Sequence, residues 1–240
     1  MKKAIVFDLY GTLVDIHTDE DNDLFWSQMT LHYGYYGAHY DDLKTAYEKE
    51  VKKAIEVVEF DCPDIEILDV FHQLFLEKGI IVDRATLLHT ASTFRLLSTD
   101  YVQLYPYAKD LLNMLNASDI KVILLSNAQS SFTLNELELL GIKEDFDRIY
   151  ISSDYKVSKP DPKFFEIMLD KEGLNAEECI YIGNDHTTDI KGASAVGMDS
   201  VYLYTNCSSE IKEDFTCKHK VIPGNLKEVI VILEQYISKA

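Results

Sequence analysis

Five short, largely apolar runs, each closing on a polar residue, constrain this 240-residue chain more than any other feature. They occupy residues 4–7, 121–125, 147–151, 179–182 and 200–204. Short apolar runs without strict alternation suit strands buried on both faces, as in a parallel sheet. Stretches with helical periodicity lie between them, at 107–116, 130–140, 163–172 and 188–196. Strands alternating with helices form βαβ units, so the predicted fold is α/β with a doubly wound, mainly parallel sheet.

Residues 18–100 follow a different rule. Leu68, Phe71, Leu74 and Phe75 fall at helical spacing, and strand-like runs are scarce. The spacing predicts a helical cap domain over 18–100, inserted into an α/β core made of 1–17 and 101–240. The connecting segments 14–19 and 100–106 read as two hinges. The aromatic cluster from His32 to Tyr40 fits helix packing within the cap. A last helix over 226–238 is expected on the outer face of the sheet.

Composition narrows the function. Hydrophobic residues make up 47 %, enough for a packed interior. A net charge of −18 repels phosphate backbones and anionic lipid, so nucleic acid and membrane surfaces are not expected partners. No apolar run is long enough to span a bilayer. Residues 1–8 read as a first strand and not a signal peptide, because Asp8 interrupts the apolar run. Cys62, Cys179, Cys207 and Cys217 show no CxxC spacing, which argues against a zinc site or disulfide framework and fits a reducing cytoplasm. A small-molecule substrate is the expectation that remains; oligomeric state is not legible.

In doubly wound sheets, ligands bind at the carboxyl ends of the strands. Four polar groups fall there or can reach there. Asp8, in Asp8-Leu9-Tyr10-Gly11-Thr12-Leu13, is a carboxylate that can attack phosphorus or carbon and form an ester for water to hydrolyse. Gly11 permits a tight turn, and Thr12 offers a hydroxyl to an anion. Ser126-Asn127 offers a hydroxyl and an amide to the transferred group. Lys159, within Ser158-Lys159-Pro160-Asp161-Pro162, is a cation on an extended segment, suited to stabilising charge. Asp185 and Asp189 provide two carboxylates spaced by four, half of a Mg²⁺ site that Asp8 and one backbone carbonyl would complete. Singly, each has a plain alternative as a turn former, helix cap or solvated charge. Together, and in this order, they point to one crevice.

The order DLYGTL, LLSN, SKPDP and GNDHTTD resembles the haloacid dehalogenase-like (HAD) hydrolase superfamily over the whole chain, with the insertion where that superfamily carries a helical cap. The resemblance implies Asp8 as nucleophile, Lys159 as the third-motif lysine, and Thr12, Ser126 and Asn127 as substrate-binding groups. It implies Mg²⁺ held by Asp8, the Tyr10 backbone carbonyl, Asp185 and Asp189, as in family phosphatases. Two departures follow. Phosphatases carry an Asp acid–base two residues after the nucleophile; here that residue is Tyr10, typical of the L-2-haloacid dehalogenase branch. That branch, however, has a Ser/Asn fourth motif, a tyrosine where this chain has Phe165, and a cap arginine for which Arg84 and Arg95 are candidates only by residue type.

Crowding of Asp8, Asp185 and Asp189 favours a cation between them. The sequence therefore predicts a Mg²⁺-dependent phosphatase of a small phosphorylated metabolite, acting through an aspartyl-phosphate on Asp8, with Tyr10, a cap residue or water as proton donor. The alternatives are a metal-free 2-haloacid dehalogenase and a catalytically weak binding protein on the same fold.

Overall fold

A computed structural model describes residues 2–237. In chain order the elements are β1 (Ala4–Phe7), β2 (Val14–Thr18), α1 (Asp23–Tyr35), α2 (Leu43–Glu56), α3 (Ile67–Glu77), α4 (Arg84–Ser98), β3 (Thr99–Leu104), α5 (Ala108–Asn116), β4 (Lys121–Ser126) and α6 (Ser130–Leu139). They continue with β5 (Arg148–Ile151), α7 (Ser152–Tyr155), α8 (Pro162–Glu172), β6 (Cys179–Gly183), α9 (Lys191–Ala195), β7 (Asp199–Leu203), β8 (His219–Val221) and α10 (Leu226–Ile237).

Six strands form one parallel sheet in the order β5-β4-β1-β6-β7-β8. Every side chain of β1 is buried, as a central strand covered on both faces requires. One face packs Ile5, Phe7, Leu124 and Ile182 against Leu111 and Leu115 of α5 and Val229 and Leu233 of α10. The other packs Ala4, Val6, Leu125 and Tyr181 against Phe164, Phe165 and Met168 of α8. Each large apolar side chain removed from water in these layers contributes about 1.5–3 kcal/mol.

Helices α1–α4 lie between β2 and β3 and share their own apolar cluster. Phe25, Phe71, Phe75, Phe94 and Tyr33 are at most 3 % exposed there. Phe25 meets Phe94 edge-on at 4.9 Å, a geometry rings prefer to face-to-face stacking. Each of these helices starts on an acidic or amide residue whose side chain accepts from the first turn: Asn22, Asp42, Glu66 and Asp83.

The two segments read as hinges are not separate tethers. They pair as an antiparallel ribbon, β2 with β3, from Val14↔Leu104 to Thr18↔Thr99, with a register shift between His17 and Thr18. Alternating polar residues in both segments masked the pairing. The helix expected over 188–196 is broken into a π-helical turn, His186–Ile190, followed by α9. β8 was not anticipated, since His219-Lys220-Val221 carries little apolar signal. Residue 238, the expected end of the last helix, lies outside the described residues. No helix among the described residues is long and apolar enough to cross a membrane.

Candidate active site

Topology brings the four motifs to one sheet edge. β1 lies between β4 and β6, with Phe7 level with Leu124 and Ile182, so the residues that follow these strands emerge together. Asp8 follows β1, Ser126 ends β4, and Asn184 follows β6. Lys159 comes from the segment joining α7 to α8. Its backbone is clamped by Asn127, which accepts from Lys159 N at 2.8 Å and donates to Lys159 O at 2.9 Å. The Asn127 amide, expected to hold substrate, thus holds the lysine's main chain.

At the centre lies the Lys159 ammonium, which is almost fully buried. It donates to Asp8 Oδ1 at 2.7 Å, Asp189 Oδ1 at 2.7 Å and the Tyr181 hydroxyl at 2.8 Å. Burial opposes its charge, but Asp189 and Asp8 outweigh burial and hold its pKa above the ordinary lysine value. Burial pushes the Asp189 carboxyl up to about 6, with Lys159 pulling down and Asp8 pushing up. Asp8 also accepts from Ser126 Oγ at 3.2 Å. Thr12 Oγ1 lies 3.4 Å from Asp8 Oδ2 and 3.2 Å from Asn184 Oδ1; its single proton serves one at a time.

Two glycines make this closeness possible. Gly11 sits at φ +83°, and a Cβ there would fall 2.3 Å from Asn184 Nδ2. A Cβ on Gly183 would fall 2.4 Å from the Asp189 carboxyl carbon.

The fourth motif divides. Asp189 turns inward to Lys159, and its other oxygen accepts from Asp185 N at 3.0 Å. Asp185 caps the π-helical turn. Its Oδ1 accepts from Thr187 N at 2.7 Å and Thr187 Oγ1 at 2.6 Å, and its Oδ2 accepts from Ser209 Oγ at 2.6 Å. Despite partial burial, those hydroxyls hold its carboxyl below the usual range. Asn184, next to Asp185 and absent from the sequence-based site, is the residue that faces Thr12.

The acidic side chains expected to hold Mg²⁺ have other partners. Among the described residues no group of three or more His, Cys, Asp or Glu side chains is arranged to hold a metal ion. The carboxylates of Asp8 and Asp189 meet an ammonium, and that of Asp185 is engaged by hydroxyls. The crowding that argued for a cation involves two carboxylates, and Lys159 bonds both.

Tyr10 has a separate network. Its hydroxyl donates to Glu136 on α6 and lies 3.0 Å from Thr133 Oγ1. Arg95 of α4 donates Nε to Glu136 Oε1 at 2.5 Å and Nη2 to Oε2 at 3.2 Å. Its guanidinium lies 5.5 Å from the centre of the Tyr10 ring. Burial, then the Glu136 charge, push the Tyr10 pKa far above its ordinary value, so the phenol stays protonated. Of the two arginines considered, Arg95 is thus the one that approaches the loop after β1, already paired with a carboxylate. A cavity of about 230 Å³ adjoins this pair, lined also by Leu96, Phe132 and Leu139.

Sequence reasoning missed Asn184, Tyr181 and Glu136. Tyr181 sits within an apolar strand and reads as core. Glu136 reads as one of many helix carboxylates. Asn184 was overshadowed by the acidic residue beside it.

A family model, "haloacid dehalogenase-like hydrolase", matches residues 2–197. Among curated proteins, the (S)-2-haloacid dehalogenase 4A of Burkholderia cepacia is 25 % identical, over 99 % of this chain and 97 % of its own. The glyceraldehyde 3-phosphate phosphatase of Methanocaldococcus jannaschii is 24 % identical, over 83 % of this chain and 73 % of its own. A 2-haloacid dehalogenase structure from Pseudomonas syringae superposes with TM-score 0.68 at 18 % identity, covering 98 % of this chain and 100 % of that one. A HAD phosphatase structure from Thermococcus onnurineus gives 0.60 at 21 %, covering 96 % and 97 %. These structures share the fold, and the relatives span both reactions. The family match over most of its length makes this chain a member of the haloacid dehalogenase-like hydrolases.

Proposed function

We propose that this hydrolase displaces a leaving group from a saturated carbon, with Asp8 as nucleophile and a short 2-halo acid as the substrate class. The observation that carries this reading is the Tyr10 hydroxyl. It occupies the position from which family phosphatases, by the sequence resemblance, protonate an alcohol leaving group, yet its proton is committed to Glu136. A departing halide needs no proton.

The chemistry balances without further groups. An Asp8 oxygen attacks C2, forming a C–O bond while the C–halogen bond breaks and the halide leaves with the electron pair. Water then attacks the Asp8 carboxyl carbon and releases the 2-hydroxy acid, the Asp8 carboxylate and a proton. Lys159 and the Ser126 hydroxyl, both bonded to Asp8 Oδ1, hold the carboxylate in place throughout.

Phosphate-ester hydrolysis, the preference drawn from sequence, is the second reading. The acidic pair Asp185 and Asp189 favours it, and family resemblance attaches Mg²⁺ to it. Asp8, the Tyr10 backbone carbonyl, Asp185 and Asp189 would hold the ion, which would supply charge stabilisation for a phosphoryl oxygen.

A panel of 2-halo acids and phosphorylated metabolites, each assayed with and without chelator, separates the two. Halide release that persists in chelator supports the first; phosphate release abolished by chelator overturns it. Tyr10→Phe sharpens the test. We expect kcat for halide release within about threefold of wild type, whereas a general acid contributes roughly 10²–10⁴-fold. A hundredfold loss in Tyr10→Phe would assign the hydroxyl a proton-donating role.

A further inference from the structure

We propose that Tyr181 is a positioning residue that fixes the Lys159 ammonium between Asp8 and Asp189. The inference rests on the reading of Asp8 as nucleophile and Lys159 as its partner.

The argument is an inventory of protons. A lysine ammonium has three N–H donors and no acceptor. Lys159 has three acceptors within reach: Asp8 Oδ1, Asp189 Oδ1 and the Tyr181 hydroxyl. The third is the only one without charge and the only one on an interior strand position. Remove it, and a buried N–H has no acceptor in an interior closed to water. The ammonium could then restore its bonding only by moving off the line between the carboxylates.

Tyr181 is itself held on several sides. It lies in β6, directly beside β1, with no exposed surface. Its hydroxyl lies 3.0 Å from Leu125 O and 3.0 Å from Asp189 Oδ1, and donates its one proton to either. Its ring packs on Phe165 at 5.3 Å between centres. Phe165 in turn fills the space over Gly192, where a Cβ would fall 2.3 Å from the ring. Position 165 is where the dehalogenase branch carries tyrosine. Here that ring has no hydroxyl, and the hydroxyl beside the lysine comes from the neighbouring ring on β6.

The test pairs Tyr181→Phe, which removes the hydroxyl and keeps the ring, with Phe165→Leu, which loosens the packing and keeps the hydroxyl. A hydrogen bond to a charged group contributes about 1.5–3 kcal/mol, which converts to roughly 10- to 100-fold in rate. We expect kcat of Tyr181→Phe to fall by that factor with KM within about twofold. Phe165→Leu should lower Tm and leave kcat within that same factor of two below its melting range. A second readout needs no substrate: nitrogen-detected NMR of the Lys159 ammonium. The wild-type signal should exchange slowly with water, stay slow in Phe165→Leu, and exchange at least about tenfold faster in Tyr181→Phe. Unchanged ammonium exchange in Tyr181→Phe, or kcat losses in both variants that simply track Tm, would overturn the proposal. A wild-type protein inactive on every halo acid and phosphate ester would instead overturn the functional reading, and the NMR comparison would still decide the role of Tyr181.

Discussion

Asp8→Asn should abolish turnover, by at least about 10³-fold, while leaving the melting temperature equal to or above that of the wild type. The loss follows from chemistry: an amide cannot supply the carboxylate oxygen that forms the ester, and removal of a covalent nucleophile is among the largest single effects known in enzymes. The stability result follows from charge. Asp8 and Asp189 share one cation, Lys159, so the buried cluster carries two negative charges against one positive. An asparagine at position 8 leaves a one-to-one pair and an isosteric side chain that still accepts from Ser126 and Lys159. Relief of repulsion between buried like charges offsets the weaker bond to the ammonium. A site strained for reactivity gives this pattern, in which activity and stability move in opposite directions. Steady-state assays and thermal unfolding of the two proteins would measure both; retained activity in Asp8→Asn would rule out the covalent route.

The same residue distinguishes the two reactions. In a single turnover in ¹⁸O-water, an ester of Asp8 to carbon is opened at the aspartyl carbonyl, so the label enters Asp8. A phosphoryl ester is opened at phosphorus, so the label leaves with phosphate. Mass spectrometry of the peptide containing Asp8 reads the outcome directly, and it does not depend on whether Tyr10 or water handles protons.

How much of this site was legible depended on the kind of signal each residue carried. Asp8 and Ser126 sit at abrupt changes from apolar to polar sequence, and the α/β topology then requires their convergence; Lys159 stood out by its proline-flanked, extended segment. The parallel sheet was legible for the same reason. Side-chain direction was not. Asp185 and Asp189 look alike in sequence, but the π-helical turn that starts at His186 sends one to Lys159 and leaves the other to cap the turn. Asn184, Tyr181 and Glu136 became visible only through partners 172, 22 and 126 positions away. The ribbon that flanks helices α1–α4 was hidden because both its strands are half polar, and the loop after β7 shows why such pairing matters. There Thr205 donates to Gly11 O at 2.7 Å and Asn206 to Asp15 at 2.9 Å, tying the loop after β1 and the ribbon to one segment.

Replacing the cation gives the opposite of the Asp8 result. Lys159→Met keeps the side-chain length and removes the charge, leaving Asp8 and Asp189 buried side by side. Removing one partner of a buried ion pair costs about 3–5 kcal/mol, and turnover should fall by about 10²-fold or more as the nucleophile loses its anchor. The pH dependence identifies the cause. Without Lys159, burial and repulsion from Asp8 hold the folded-state pKa of Asp189 still further above its unfolded value near 4. Asp189 already stands at about 6 with the lysine present. Between the unfolded and folded values the folded chain binds more protons than the unfolded chain, so stability decreases as pH rises through that window. Wild type should show a shallow decline between about pH 4 and 6, and the variant a steeper one that continues above 6. Urea unfolding of both proteins from pH 5 to 8 should therefore give a stability gap that narrows toward pH 5. A gap of constant size would mean that the methionine merely packs badly, and that the two carboxylates do not feel each other's charge.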